Sequence, residues 1–330
     1  MNFKRKLNTK MLISSVIVTL MVLAAELFEE PEIIFPEIAA LTIGALISKK
    51  MPWNTDYARM FVLMSISAVI GYLLSIADAI PLYPKIIFAF ALCAASLIIS
   101  RCTMLPMISA CILPLLTSVR SIIYPISVIL LTAAVITVRY ILTKLGFINK
   151  QEYIKNEIDY RSEILHWGYL VAVLMAISAV ALVFQIPFII SPPLIVAFAE
   201  SSYAESPVRK NPTGFFFAMA LCALIGTMGR LIFHEFAGLS LFVSVFITVI
   251  AAFYLLLLLD KLFPPAAALS VLPFILSEDT LLFYVMEVII GAVALIAAAL
   301  AYTKVESGVL KLMQDKQPSS AESEHTNNKL

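Results

Sequence analysis

Charge and glycine are both scarce in this chain. Asp, Glu, Lys and Arg make up 14% of its residues, where soluble domains carry about 25%. Only 10 of its 330 residues are glycine. The first shortage excludes an ordinary soluble globular domain. The second, with no Gly-rich phosphate loop and no G-x-S-x-G elbow, leaves nucleotide-driven and serine-hydrolase chemistry without their usual scaffolds. The three histidines are scattered and form no H-E-x-x-H. The four cysteines, Cys93, Cys102, Cys111 and Cys222, show no C-x-x-C spacing and sit in or beside apolar runs, as small core residues do. No metal, no cofactor and no enzyme activity is expected. A net charge of +1 gives no reason to expect nucleic acid as a partner.

What fills the chain instead is apolar sequence: 61% hydrophobic residues and a mean hydropathy of +0.97. The reading is an all-α polytopic membrane protein whose first partner is the lipid bilayer. Residues 1–10 carry Lys4, Arg5, Lys6 and Lys10 ahead of an apolar run at 11–28. The polytopic sequence behind that run favours an uncleaved first helix over a signal peptide. Further apolar segments follow at 33–48, 60–77, 82–100, 103–117 and 122–142. A polar stretch of mixed charge at 144–161 reads as an amphipathic helix, and the pattern then restarts at 164–185, 186–199, 214–233, 239–259, 262–276 and 281–301. The domains expected are a first transmembrane repeat (1–143), a cytoplasmic linker (144–162), a second repeat (163–303) and a disordered cytoplasmic tail (304–330), which is polar and without apolar periodicity.

The restart reads as an internal duplication. With Met104 set over Phe263, Pro106 meets Pro265, Leu113 meets Leu272 and Pro114 meets Pro273 without a gap. Upstream, Ser-Ala-Val-Ile-Gly ending at Gly71 matches Cys-Ala-Leu-Ile-Gly ending at Gly226. If all twelve segments cross, every Lys and Arg except Lys85, Arg120 and Arg230 collects on one side, and the Glu29–Glu32 group, Asp78, Glu235, Glu278 and Asp279 collect on the other. The positive-inside rule makes the basic side cytoplasmic. Six segments per half make the repeats parallel, with both termini cytoplasmic in a multi-pass cell-membrane protein.

Four of the segments are short. About 15 residues of helix rise about 22 Å against a hydrocarbon core of about 30 Å. Such segments must be completed by non-helical backbone, buried among neighbours, or set in thinned membrane, and a water-accessible centre between them is the expectation. The stretch 186–214 concentrates the candidates: Pro192 and Pro193, which remove two backbone donors, then Glu200, Ser201, Ser202, Tyr203, Arg209 and Asn211. Pro264 and Pro265 lead the matching short segment later in the chain. Glu37, beside Pro36, and Glu287, about two turns inside the last segment, are ionisable groups in apolar surroundings, where they are costly and usually functional. For Ser201, Ser202, Tyr203 and Asn211, solute binding and helix capping stand level. Trp53 and Trp167 read as interfacial anchors.

The second half, S-P-P-L-I-V-A-F-A-E-S-S-Y-A-E-S-P-V-R-K-N-P-T-G followed by K-L-F-P-P-A-A-A-L-S-V-L-P-F-I-L, resembles the HPP family of integral membrane proteins. The likeness covers residues 186–301 and, more faintly, 33–142; Ser206-Pro207 and Pro264-Pro265-Ala266 are its best matches. Phe263 stands where the family's name places a histidine, and Phe215-Phe216-Phe217 where its glycine-histidine stretch would be. The resemblance implies transport of a small anion, without carrying nitrite itself over. The function expected is a transporter or facilitator of a small, anionic solute through a site between the repeats. The alternative is a membrane scaffold docking cytoplasmic partners through linker and tail. Association with further copies of the chain is left open.

Overall fold

The computed structural model describes residues 3–155, 157 and 159–315, and it is helical with no strand among them. Among the described residues eight helices are long and apolar enough to cross a membrane, as expected of a multi-pass membrane protein. They are α1 (Phe3–Leu27), α3 (Tyr57–Ser75), α4 (Leu82–Ser100), α6 (Ile123–Lys144), α7 (Tyr160–Phe184), α10 (Pro212–Gly229, continued as a π-helical turn over Arg230–Phe236), α11 (Leu241–Leu258) and α13 (Glu278–Asp315). The tail expected from residue 304 begins inside α13, and beyond Asp315 it lies outside the described residues. Four short helices alternate with these: α2 (Glu37–Thr42, continued as a π-helical turn over Ile43–Ile47), α5 (Pro106–Leu116), α8 (Pro192–Ser202) and α12 (Pro264–Val271, tightening to a 3₁₀ turn over Leu272–Ile275). A single-turn helix, α9 (Pro207–Lys210), follows α8.

Burial separates the two sets. The long helices keep only 28–50% of their apolar windows inside the molecule, and turn residues such as Ile99, Leu130 and Val183 outward. The short helices are buried on every side, apart from Glu200 near the end of α8 and Leu116 at the end of α5. A helix apolar all round must be buried, and these four are enclosed by protein rather than by lipid. They form the core: α2 packs on α12 and α5 on α8, while at the periphery α1 packs on α11 and α4 on α7.

The sequence explains how these short helices sit so close to their neighbours. A Cβ on Gly71 of α3 would stand 2.3 Å from the carbonyl oxygen of Cys111 in α5, and one on Gly226 of α10 would stand 2.4 Å from that of Ser270 in α12. Glycine is required at both places because backbone meets backbone. Pro114 and Pro273 have no N–H to donate to the carbonyl four residues earlier. Those carbonyls, of Ala110 and Leu269, instead accept from the hydroxyls of Tyr124 (2.8 Å) and Tyr284 (2.9 Å). The prolines' own carbonyls are covered too. Ser75 Oγ lies 2.9 Å from that of Pro114 and 2.7 Å from that of Val119, and Arg230 donates to those of Pro273 (2.6 Å) and Leu276.

The loops gather at two ends. At one, Met51 N donates to Gln151 Oε1 (2.9 Å), Asn54 exchanges two hydrogen bonds with the backbone of Ile154 (2.7 and 3.1 Å), and the Tyr153 hydroxyl donates to the carbonyl of Arg101 (3.0 Å). The amphipathic helix expected at 144–161 is therefore not formed: α6 ends at Lys144, α7 starts at Tyr160, and the described residues between them are irregular. The Gln151 and Tyr153 side chains bond to loops 100 and 52 residues earlier in the chain, not along a helical face. At the other end Glu32 accepts from the backbone N–H groups of Arg120 (3.1 Å) and Ser121 (2.9 Å), and Arg120 pairs with Asp78 (2.6 Å). That guanidinium holds the exposed Asp78 carboxyl below its ordinary range. Glu26 accepts from the first amides of α11, Leu241 (2.6 Å) and Phe242 (2.9 Å), where a carboxylate meets the positive end of a helix dipole.

Candidate functional site

At the end where the linker lies, a cleft of about 740 Å³ opens between the first and second halves of the chain. The first half supplies Lys50, Trp53, Arg101, Cys102 and Thr103 to its walls. Glu157, Glu163 and Trp167 come from the linker and the start of α7. The second half contributes Glu200, Tyr203, Glu205, Phe215, Lys261 and Phe263, with Asp260 at the rim.

Each wall residue is placed by a local feature. Trp53 is 1% exposed and lies flat against Gly44 in the π-helical turn after α2, where a Cβ would stand 2.3 Å from the indole. Arg101 ends α4 in a left-handed conformation (φ 53°) and donates to the Tyr160 hydroxyl at 3.3 Å. Lys261 lies 5.4 Å from the centre of the Phe215 ring, which meets Phe263 edge-on at 4.9 Å. Tyr203, just past the end of α8, is tucked against His166 at 5.0 Å. Burial holds the Tyr203 hydroxyl above its ordinary pKa, and the Glu163 carboxylate adds to the effect. Glu200, in the last turn of α8, lines the cleft, yet its Oε2 is shielded from solvent and accepts no hydrogen bond.

Of the residues singled out from the sequence, Glu200 and Tyr203 reach this cleft. Ser201, Ser202 and Arg209 build the end of α8 beside it. The Ser201 hydroxyl donates to the Ala197 carbonyl (2.5 Å), and Arg209 donates to the carbonyls of Ser201 (3.3 Å) and Ser202, closing the helix terminus. The Ser202 hydroxyl donates to the Ala199 carbonyl (2.7 Å) and lies 2.8 Å from His166 Nε2, so with that proton committed the imidazole carries its own on Nε2. Asn211 caps α10, its Oδ1 accepting from Gly214 N at 2.9 Å.

Pro192 and Pro193 begin α8, and Pro264 and Pro265 begin α12; neither pair breaks a helix. At the first helical positions an amide has no intrahelical acceptor, so the missing donors free no carbonyl. Glu37 lies in the packed core, 2% exposed, with the Ser109 hydroxyl donating to Oε1 and Oε2 without a partner. Glu287 belongs to the opposite end, where it accepts from Phe188 N at 2.7 Å. Arg59 pairs with Asp56 at the start of its own helix and lies 4.0 Å from the Tyr153 ring.

The aromatic and acidic lining was not legible in the sequence as a site. Trp53 and Trp167 stand 114 positions apart in the chain, and Glu163 falls in the first turn of α7. Only a Trp following the unpaired run of a polar linker marks the spot. Comparison with protein-family models, curated proteins and solved structures finds no match for this chain.

Proposed function

We propose that the chain is a membrane transporter or facilitator of a small solute, which binds in the cleft between two parallel six-segment halves. The cleft itself carries this reading: both halves wall it, and Glu200, whose Oε2 has no partner, lines it. Several matched pairs support the duplication. Gly71 with Cys111 and Gly226 with Ser270 make the same backbone approach. Tyr124 with Ala110 and Tyr284 with Leu269 make the same hydrogen bond. Contacts between the halves come in reciprocal pairs as well, α2 on α12 with α8 on α5, and α1 on α11 with α7 on α4. Reciprocity of this kind is what a two-fold axis along the membrane normal produces.

With twelve crossings, Lys49, Lys50, Arg101, Lys155, Arg209 and Lys261 share the cytoplasmic side with the cleft mouth, and Glu29, Glu30, Asp78, Glu235 and Glu278 lie outside. The resemblance to the HPP family contributes nothing here, and the anionic solute it implies has little in this lining to hold it. A scaffold role is less favoured, because linker residues Gln151 and Tyr153 are engaged with the protein's own loops.

The test is uptake by proteoliposomes of a panel holding a small alkylammonium ion, a neutral amino acid, and nitrite and benzoate as anions. A transporter takes up at least one faster than protein-free vesicles do, and Glu200→Gln slows that uptake. No uptake of any member, with cytoplasmic proteins retained by the linker and tail, would establish the scaffold instead.

A further inference from the structure

The lining narrows the class of solute, an inference that rests on reading the cleft as a solute site. Five carboxylates face it against three cations. The cations already have company: Lys261 rests over the Phe215 ring and Arg101 donates to Tyr160, while Lys50 is exposed at the mouth. Glu200 is in the opposite state. Its Oε2 is cut off from solvent and accepts nothing, and a shielded acceptor left unmatched costs about 1–3 kcal/mol or more when charged. Among the lining residues the Trp53 indole N–H, a neutral donor, is also without a partner, so the charge balance of the lining is what favours a cation.

The walls meet the same requirement. The partly exposed Tyr203 supplies aromatic surface, with Trp53, Trp167 and Phe263 packed behind the lining, and an aromatic face attracts ammonium groups more strongly where water is excluded. An anion placed here would find the guanidinium and ammonium donors engaged or at the rim, and would face the carboxyl oxygens of Glu157, Glu163, Glu200 and Glu205. We propose that the cleft binds a small organic ammonium solute, whose N–H groups donate to the Glu200 carboxyl group lining the cleft while its alkyl part lies against the Tyr203 ring.

The chain's two tryptophans both line the cleft, so intrinsic fluorescence reports its occupancy directly. The protein in lipid nanodiscs would be titrated with n-butylammonium and with n-butyrate, a pair matched in size and opposite in charge, at constant ionic strength. Butylammonium is expected to give a saturable change and butyrate none. Glu200→Gln should weaken the butylammonium response by roughly tenfold, the loss of one charge-assisted hydrogen bond, whereas Asp279→Asn at the other end should leave it unchanged. A saturable response to butyrate alone, no response to either ion, or a full response in Glu200→Gln overturns the assignment. If Glu200→Gln fails to run as a single species on gel filtration, thiol labelling of Ala204→Cys decides: butylammonium must slow it and butyrate must not. Binding without uptake in the vesicle assay would sink the transport reading and leave the ligand class standing. Uptake of an anion alone would do the reverse.

Discussion

Pro114 and Pro273 each delete one amide donor from a helix that no water reaches, and one tyrosine answers each loss. Tyr124→Phe and Tyr284→Phe remove only the hydroxyl and leave the carbonyl of Ala110 or Leu269 buried and unmatched. Each is expected to lower stability by about 1–3 kcal/mol, seen as a lower midpoint of thermal unfolding in detergent. The two losses should be similar in size, since both hydroxyls serve the same kind of carbonyl. An unchanged midpoint in both variants would show that the tyrosines do not fill the gaps the prolines leave. The prolines' register could be read from the chain; their tyrosine partners could not, because Tyr124 and Tyr284 stand ten or eleven positions on, in helices whose direction the residues alone do not specify. Glu200 was visible as an ionisable group ending an apolar run. That its Oε2 is unmatched, while neighbouring Ser201 and Ser202 turn back to their own helix, depends on how α8 ends.

Among the elements, the apolar runs were legible because each is bounded by charge or proline, and the four short ones stood out by length alone. Their burial follows from that length: a helix of about 11 residues rises about 16 Å and needs protein, not lipid, around its ends. The linker was misread because mixed charge at helical spacing also suits a strap whose side chains bond to distant loops, as Gln151 and Tyr153 do here. The glycine-mediated approaches of α3 to α5 and of α10 to α12 are open to test. Gly71→Ala and Gly226→Ala place a methyl group against backbone that has no rotamer to yield, so α3 must move off α5, or α10 off α12. Each is expected to cost about 1–3 kcal/mol, as overpacking does, whereas Gly168→Ala, inside α7 with nothing within 4 Å of its Cβ, should stabilise by up to about 1 kcal/mol. Equal unfolding midpoints for all three alanine variants would contradict this packing.

For the whole molecule, the charge asymmetry between the two ends was the most legible property, and the cleft the least, because its walls come from loops that only the packing of α2 on α12 and α5 on α8 brings together. If twelve segments cross, the cleft opens on the basic, cytoplasmic side. Single cysteines test it, introduced on a background with Cys93, Cys102, Cys111 and Cys222 replaced. Ala204→Cys marks the cleft mouth and Ser277→Cys the opposite end; both positions are exposed. An impermeant thiol reagent applied separately to right-side-out and inverted vesicles is predicted to label position 277 only from outside and position 204 only from the cytoplasmic face. Labelling of both from the same side would contradict the account, since at least one of the segments between them would then not cross.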